Sequence, residues 1–258
     1  MRSLRFTLAY DGTPFVGWQR QAAGTSIQGL LEAILSDIDG DAVEVAGAGR
    51  TDAGVHALAQ VASARVKTPL DAATLRRALN ARLPDEVRVL DLQDAADDFH
   101  ARFSARGKHY RYLMATGAFL SPFASRQVWH LPGTLDLAAM STALSGLVGT
   151  HDFAAFQSTG TAVAHAVRTI TRATIADVTG CPPAPLGGDV APGGVLVALD
   201  LEADGFLRHM VRAIAGTVAE VGAGRRPAAL GDLISSKNRA SAGPTAPAHG
   251  LWLVRVLY

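Results

Sequence analysis

The chain has 258 residues, 48% hydrophobic and 18% charged, which suits a globular protein with a sizeable core and excludes a disordered one. The formal net charge of +1 does not by itself mark a nucleic-acid binder, so any polyanion must meet positive charge gathered on one face. No apolar run is long enough to span a bilayer, and the single cysteine, Cys181, rules out an internal disulfide and suits a reducing cytoplasm.

Residues 1–6 interleave charge with apolar side chains and lack the apolar block of a signal peptide. Leu4, Phe6, Leu8 and Tyr10 alternate with polar or small residues, which predicts a half-buried strand ending at the turn Asp11-Gly12-Thr13-Pro14. Ile27, Leu30, Leu31, Ile34, Leu35 and Ile38 form an amphipathic helix face, with Thr25 and Gln28 at capping-box spacing. Val43 and Val45 lead to a Gly-flanked loop, and residues 57–66 read as the return strand. Asp71 is placed to cap a helix carrying Leu75 and Leu79, closed by Pro84, and a further strand holds Val87, Val89 and Leu90.

The second half repeats this grammar loosely. Residues 108–115 alternate like a strand, and Leu137, Met140, Leu144 and Val148 make a helix face. Residues 165–177 and 195–202 read as strands, the latter with Asp200 and Glu202 opposite Val197, Leu199 and Leu201. Leu207, Met210, Val211, Ile214 and Val218 give another helix, ended by Gly222. Residues 251–257 form a last strand with the apolar density of a central one, while residues 179–194, rich in Gly and Pro, read as an exposed loop. More strands than helices, with few long crossovers, predict an α+β fold with a largely antiparallel sheet.

The most informative string is Ala48-Gly49-Arg50-Thr51-Asp52-Ala53-Gly54-Val55-His56-Ala57. Glycines on either side let a substrate approach the main chain. A cation next to Asp52, from Arg50 or from elsewhere, would keep the carboxylate ionised, as a nucleophile or general base requires. An arbitrary Arg-x-Asp is ordinarily a surface ion pair worth little.

The full string resembles the active-site segment of the tRNA pseudouridine synthase A family, and the resemblance covers nearly the whole chain in order. Tyr10-Asp11-Gly12 with Gly17-Trp18-Gln19-Arg20-Gln21 precedes it. Asp98-Phe99-His100-Ala101-Arg102-Phe103-Ser104-Ala105, Tyr110-Arg111-Tyr112, Gly205-Phe206-Leu207-Arg208-His209-Met210-Val211-Arg212 and Gly250-Leu251-Trp252-Leu253-Val254 follow. The resemblance implies two similar α/β-sandwich halves, of the ferredoxin or RRM type, joined around a central active-site cleft. The expected boundary gives an N-terminal half at 1–103 with the Asp52 loop and a C-terminal half at 104–258. It further implies a cytoplasmic, homodimeric, cofactor-free isomerase acting on uridines 38, 39 and 40 of the tRNA anticodon stem-loop. Asp52 matches the catalytic aspartate, Tyr110 the active-site tyrosine and Arg212 the arginine paired with the aspartate. Arg50 matches the arginine that contacts RNA and helps extrude the base; Leu253, on the last strand, is a candidate for an apolar wall beneath it, with core packing as its other role. Arg20, Arg102, Lys108 and Arg111, with Arg106, are the candidates for RNA binding, their residue type favouring bidentate phosphate contacts.

Rival readings find less support. The eight histidines fall into no His-Glu-x-x-His or Cys/His arrangement, so no metal is expected. Gly47-x-Gly49 lacks the third glycine of a dinucleotide fingerprint. A non-catalytic RNA-binding protein on the same scaffold is the remaining alternative, and such a protein has no use for a carboxylate facing a polyanion.

Overall fold

A computed structural model describes residues 1–158, 165–180, 190 and 193–258, so Cys181 and most of the Gly/Pro-rich stretch lie outside the described residues. In chain order the elements are β1 (Arg2–Tyr10), α1 (Ile27–Asp39), β2 (Val45–Gly47), β3 (His56–Val66), α2 (Ala72–Arg82), β4 (Val87–Ala95) and β5 (Gly107–Thr116). Then come β6 (Trp129–Leu131), α3 (Leu137–Ser145), β7 (Gly149–Asp152), β8 (Val167–Asp177), β9 (Leu196–Ala203), α4 (Met210–Gly222), α5 (Gly231–Ser236) and β10 (Leu251–Leu257). They form two compact units. The first comprises Met1–Arg106 with Trp252–Tyr258, and the second Gly107–Leu251.

In the first unit β1 lies between β3 and β4, antiparallel to both. Leu4, Phe6 and Leu8 face one side of the sheet with at most 1% of their surface exposed. Leu31 and Leu35 of α1 and Leu75 and Leu79 of α2 are equally buried, each such side chain contributing roughly 1.5–3 kcal/mol. The other edge of β3 takes two partners. β2 pairs antiparallel at Ala62–Ala64, and β10 pairs parallel at His56 and Ala57. The Asp71 carboxylate caps α2 by accepting from the Thr74 N–H, as its spacing predicts. The cap of α1 differs: Ser26, not Thr25, accepts from the Gly29 N–H, because the helix begins at Ile27.

The second unit orders its main strands β5-β9-β8-β7, all antiparallel, with β6 added parallel to β5. Along β5 and β9, Tyr110 stands opposite Leu201 and Tyr112 opposite Leu199, while Arg111 faces Asp200 and His109 faces Glu202. Two predicted helix faces are trimmed. Leu207 precedes α4, whose N-cap is His209, and α3 ends at Ser145, leaving Val148 exposed. Both units are α+β with mainly antiparallel sheets.

Candidate active site

Asp52 is half-buried on the loop between β2 and β3, and the backbone around it is fixed from several directions. The Gln60 amide donates to the Gly49 carbonyl at 2.8 Å. The hydroxyls of Thr51 and Tyr10 are 2.9 Å apart, and the Trp18 N–H donates to the Thr51 carbonyl at 3.0 Å. The Val55 N–H closes the turn on the Asp52 carbonyl at 3.1 Å. Gly17, at φ 108°, forms a bridge with Asp52, and a Cβ there would stand 2.6 Å from the Thr51 carbonyl oxygen. Burial pushes the Tyr10 hydroxyl up to about 12, so it serves as a neutral hydrogen-bonding post.

A second brace lies at the far end of the loop. The Gly12 nitrogen is 3.1 Å from Nδ1 of the fully buried His56, whose ring stacks on Trp252 at 4.3 Å. The same Nδ1 lies 3.1 Å from an Asp11 carboxylate oxygen. A Cβ at Gly12 would meet the Val55 carbonyl oxygen at 2.1 Å, so only glycine lets these two segments touch. The result is a half-exposed carboxylate on a preorganised main chain, the condition for a group that attacks or moves a proton. Arg50 is exposed, and among the described residues no ion pair joins it to Asp52.

Leu253, on β10 opposite Ala57, has no accessible surface and packs as a core residue. Arg20 donates to Glu32 at 2.8 Å, and Glu32 also accepts from Gln28 and the Val45 N–H. Part of the Arg20 charge is thus offset internally. Arg102 is exposed, its guanidinium 5.7 Å from the centre of the Phe103 ring.

In the second unit Tyr110 meets Phe206 edge-on at 5.2 Å. Tyr112, fully buried, donates its hydroxyl to the Pro247 carbonyl at 2.7 Å, and burial pushes its ionisation far above the usual phenol range. Arg212 sits in the first turn of α4, where the helix dipole disfavours a cation by roughly 0.3–1 kcal/mol. It is held there because its Nε donates to the Ala246 carbonyl at 2.7 Å, while the Ala246 N–H returns a bond to the Arg212 carbonyl at 3.1 Å. Gly216 makes that strap possible, since a Cβ there would be 1.8 Å from the Pro244 carbonyl oxygen. His209, at the N-cap, holds φ 62° without being glycine, a conformation costing about 1–3 kcal/mol. Burial pushes the His249 imidazole below the ordinary histidine range, and the charge of Arg212 acts in the same direction.

Arg111 is one member of the expected basic patch that already has an internal partner. It pairs bidentately with Asp200 at 3.0 Å through both contacts, and His109 adds a third at 2.6 Å. Alternation along β5 turns Lys108 and Tyr110 to the face opposite Arg111, so Lys108 and Arg111 do not form one phosphate-binding cluster. Among the described residues no three His, Cys, Asp or Glu side chains gather as metal ligands would.

Sequence reading had not singled out Gln60 or His56 as supports of the loop. Both are large polar residues with no accessible surface on a largely apolar strand, and that mismatch was the available signal. Ala246 carried none, because its contribution is a carbonyl.

The sequence profile of the family described as tRNA pseudouridine synthase matches residues 7–104 and 143–258. The chain belongs to this family. The matched segments include Asp52, Arg50, Arg212 and Leu253, whereas Tyr110 and Arg111 fall between them. Similar proteins extend across that gap. The tRNA pseudouridine synthase A of Geotalea uraniireducens is 41% identical over all of both chains. That of Syntrophotalea carbinolica is 42% identical over 100% of this chain and 97% of its own, and that of Thermoanaerobacter sp. strain X514 is 37% identical over all of both. Likeness to solved structures is weak. A Cbf5-Nop10-Gar1 complex covers 97% of this chain and 49% of the solved chain at 15% identity and a TM-score of 0.37, too low to add to the fold described above.

Proposed function

We propose that the chain isomerises uridine to pseudouridine at positions 38, 39 and 40 of the tRNA anticodon stem-loop, with Asp52 as the catalytic carboxylate. The reaction breaks the bond between ribose C1′ and uracil N1, turns the freed base and joins C1′ to C5. The proton on C5 leaves and N1 gains one, so nothing is added or lost overall. What the protein must supply is a positioned carboxylate, a surface that retains the detached base and a means of taking that base out of its stack. Asp52 serves the first need by attacking ribose or base, or by abstracting a ribose proton. The ring of Tyr110 serves the second by stacking on uracil, and Arg50 serves the third. Arg212 supplies positive charge for the carboxylate.

The observation that carries this reading is the Asp52 loop, where a half-exposed acid stands on a main chain braced by Gln60, Tyr10, Trp18 and His56. Family membership supports tRNA as the substrate. In the same reading the enzyme works in the cytoplasm as a homodimer, which doubles the basic surface offered by a chain of net charge +1. The test is tritium release from tRNA labelled at uridine C5. Asp52→Asn is expected to keep folding and tRNA affinity and to abolish turnover. Retention of a tenth of wild-type activity would remove Asp52 from the mechanism.

A further inference from the structure

Phe103 exposes 77% of its surface. Single apolar residues on a surface are ordinary, but this ring is part of a built group. The His100 ring lies 4.4 Å from it at an interplanar angle of 34°, and the Arg102 guanidinium is 5.7 Å from its centre. The turn that displays it is stiffened from within. His100 Nδ1 accepts from the backbone N–H groups of Arg102 and Phe103 at 3.1 and 3.3 Å. The Ser104 N–H donates to the His100 carbonyl at 2.9 Å, and the His100 N–H to the Ser104 hydroxyl at 3.2 Å. Ala101, fully buried, ties the turn to the sheet. Its N–H donates to the Ser63 hydroxyl at 3.0 Å, and its carbonyl accepts from the Tyr258 hydroxyl at 2.7 Å.

Much of the entropy that a contact would cost has therefore already been lost in folding, and an aromatic face stands fixed in water beside a cation. Among the described residues no carboxylate pairs with Arg102. An aromatic ring with an adjoining arginine suits a flat π-system joined to a phosphate, because every nucleobase has a face to stack and a phosphate to neutralise.

We propose that residues 100–104 form a stacking platform for an unpaired nucleobase of the RNA substrate, with Arg102 on the adjoining phosphate. This rests on the reading of tRNA as substrate and extends it to a base other than the reacting one: the turn meets the Asp52 loop through buried Ala101 against Ala48, while the Phe103 ring is turned to solvent.

The experiment measures binding of an unmodified tRNA transcript by the full chain and by the Phe103→Ala, Phe103→Leu and Phe103→Trp variants, with Asp52→Asn in parallel. Phe103→Ala is expected to leave the melting temperature unchanged and to weaken tRNA binding roughly 5- to 150-fold, the range of one lost base–aromatic stack. Phe103→Leu should lose nearly as much, because it keeps apolar surface without a π-face. Phe103→Trp should bind within about threefold of wild type and show tRNA-dependent quenching beyond that of the native tryptophans, as stacking requires. Binding by Phe103→Ala within twofold of wild type overturns the proposal. So does a drop in its sedimentation mass, which assigns the ring to a contact between protein chains, or a large loss of stability, which assigns it to the core. Turnover by Asp52→Asn refutes the mechanism proposed above and leaves the platform standing, so the two failures are distinguishable.

Discussion

Tyr110 and Tyr112 share a strand face, so alternation alone does not choose between them as a partner for a base. Tyr112 donates a hydrogen bond to the Pro247 carbonyl and has no accessible surface, whereas Tyr110 retains 7% and touches Phe206 edge-on. If the Tyr110 ring does the binding, Tyr110→Phe keeps more tRNA affinity than Tyr110→Ala, by roughly 1–3 kcal/mol. Titration of both variants against one tRNA checks this, and equal losses would transfer the role from the ring to the hydroxyl. The Asp52 loop stands out in the sequence because a ten-residue string is distinctive. Its supports do not, since Gln60 and His56 act through contacts with chain far away in sequence, and no local pattern encodes a partner.

At the scale of elements, helix and strand periodicity placed most segments, and errors gathered at ends. Thr25 and Gln28 have the spacing of a capping box, yet Ser26 is the cap, because adjacent hydroxyl residues compete and spacing alone cannot choose. Leu207 continues the apolar pattern of α4 but lies before the His209 turn, where a positive φ interrupts the helix. β6 and β7, with three and four residues, are too short for periodicity to register. The strap over α4 gives a prediction at this scale. Gly216→Ala should destabilise by about 1–3 kcal/mol, since a backbone carbonyl must move. It should also lower kcat beyond the fraction unfolded, because the same strap holds Arg212. Chemical denaturation and kinetics on one sample separate the two effects.

The β5–β9 pairing gives another. Burial opposes the charge on Asp200, but hydrogen bonds and positive charge from His109 and Arg111 outweigh it and hold the carboxyl below the ordinary carboxylate range. A lowered folded-state value means a contribution fully present above the unfolded value of about 3.9 and lost as pH falls through the folded one. Asp200→Ala should cost about 1–3 kcal/mol near neutrality by stranding the buried His109 and the half-buried Arg111. The gap between its urea midpoint and that of wild type should narrow below about pH 4. A gap independent of pH would mean that packing, not charge, sets the cost.

For the molecule as a whole, a net charge of +1 demands that affinity for a polyanion come from local arrangement. Arg111 and Arg20 are already engaged with Asp200 and Glu32, so fewer cations are available than the count of 24 basic residues suggests. Affinity for tRNA should still fall with salt, by about −0.9 in log–log slope for each duplex phosphate neutralised. A slope near zero from filter binding at several salt concentrations would exclude phosphate contacts by Arg102 and its neighbours.

Trp252 reaches the first unit only after the chain has passed through the whole of the second. During translation, residues 1–106 leave the ribosome with the His56 end of β3 still lacking its parallel neighbour, and the indole that covers His56 arrives last. Polypeptides cut short by a premature stop or by proteolytic trimming therefore carry the acid without its finished support. The closing strand therefore completes the packing around His56, the residue that braces the far end of the loop.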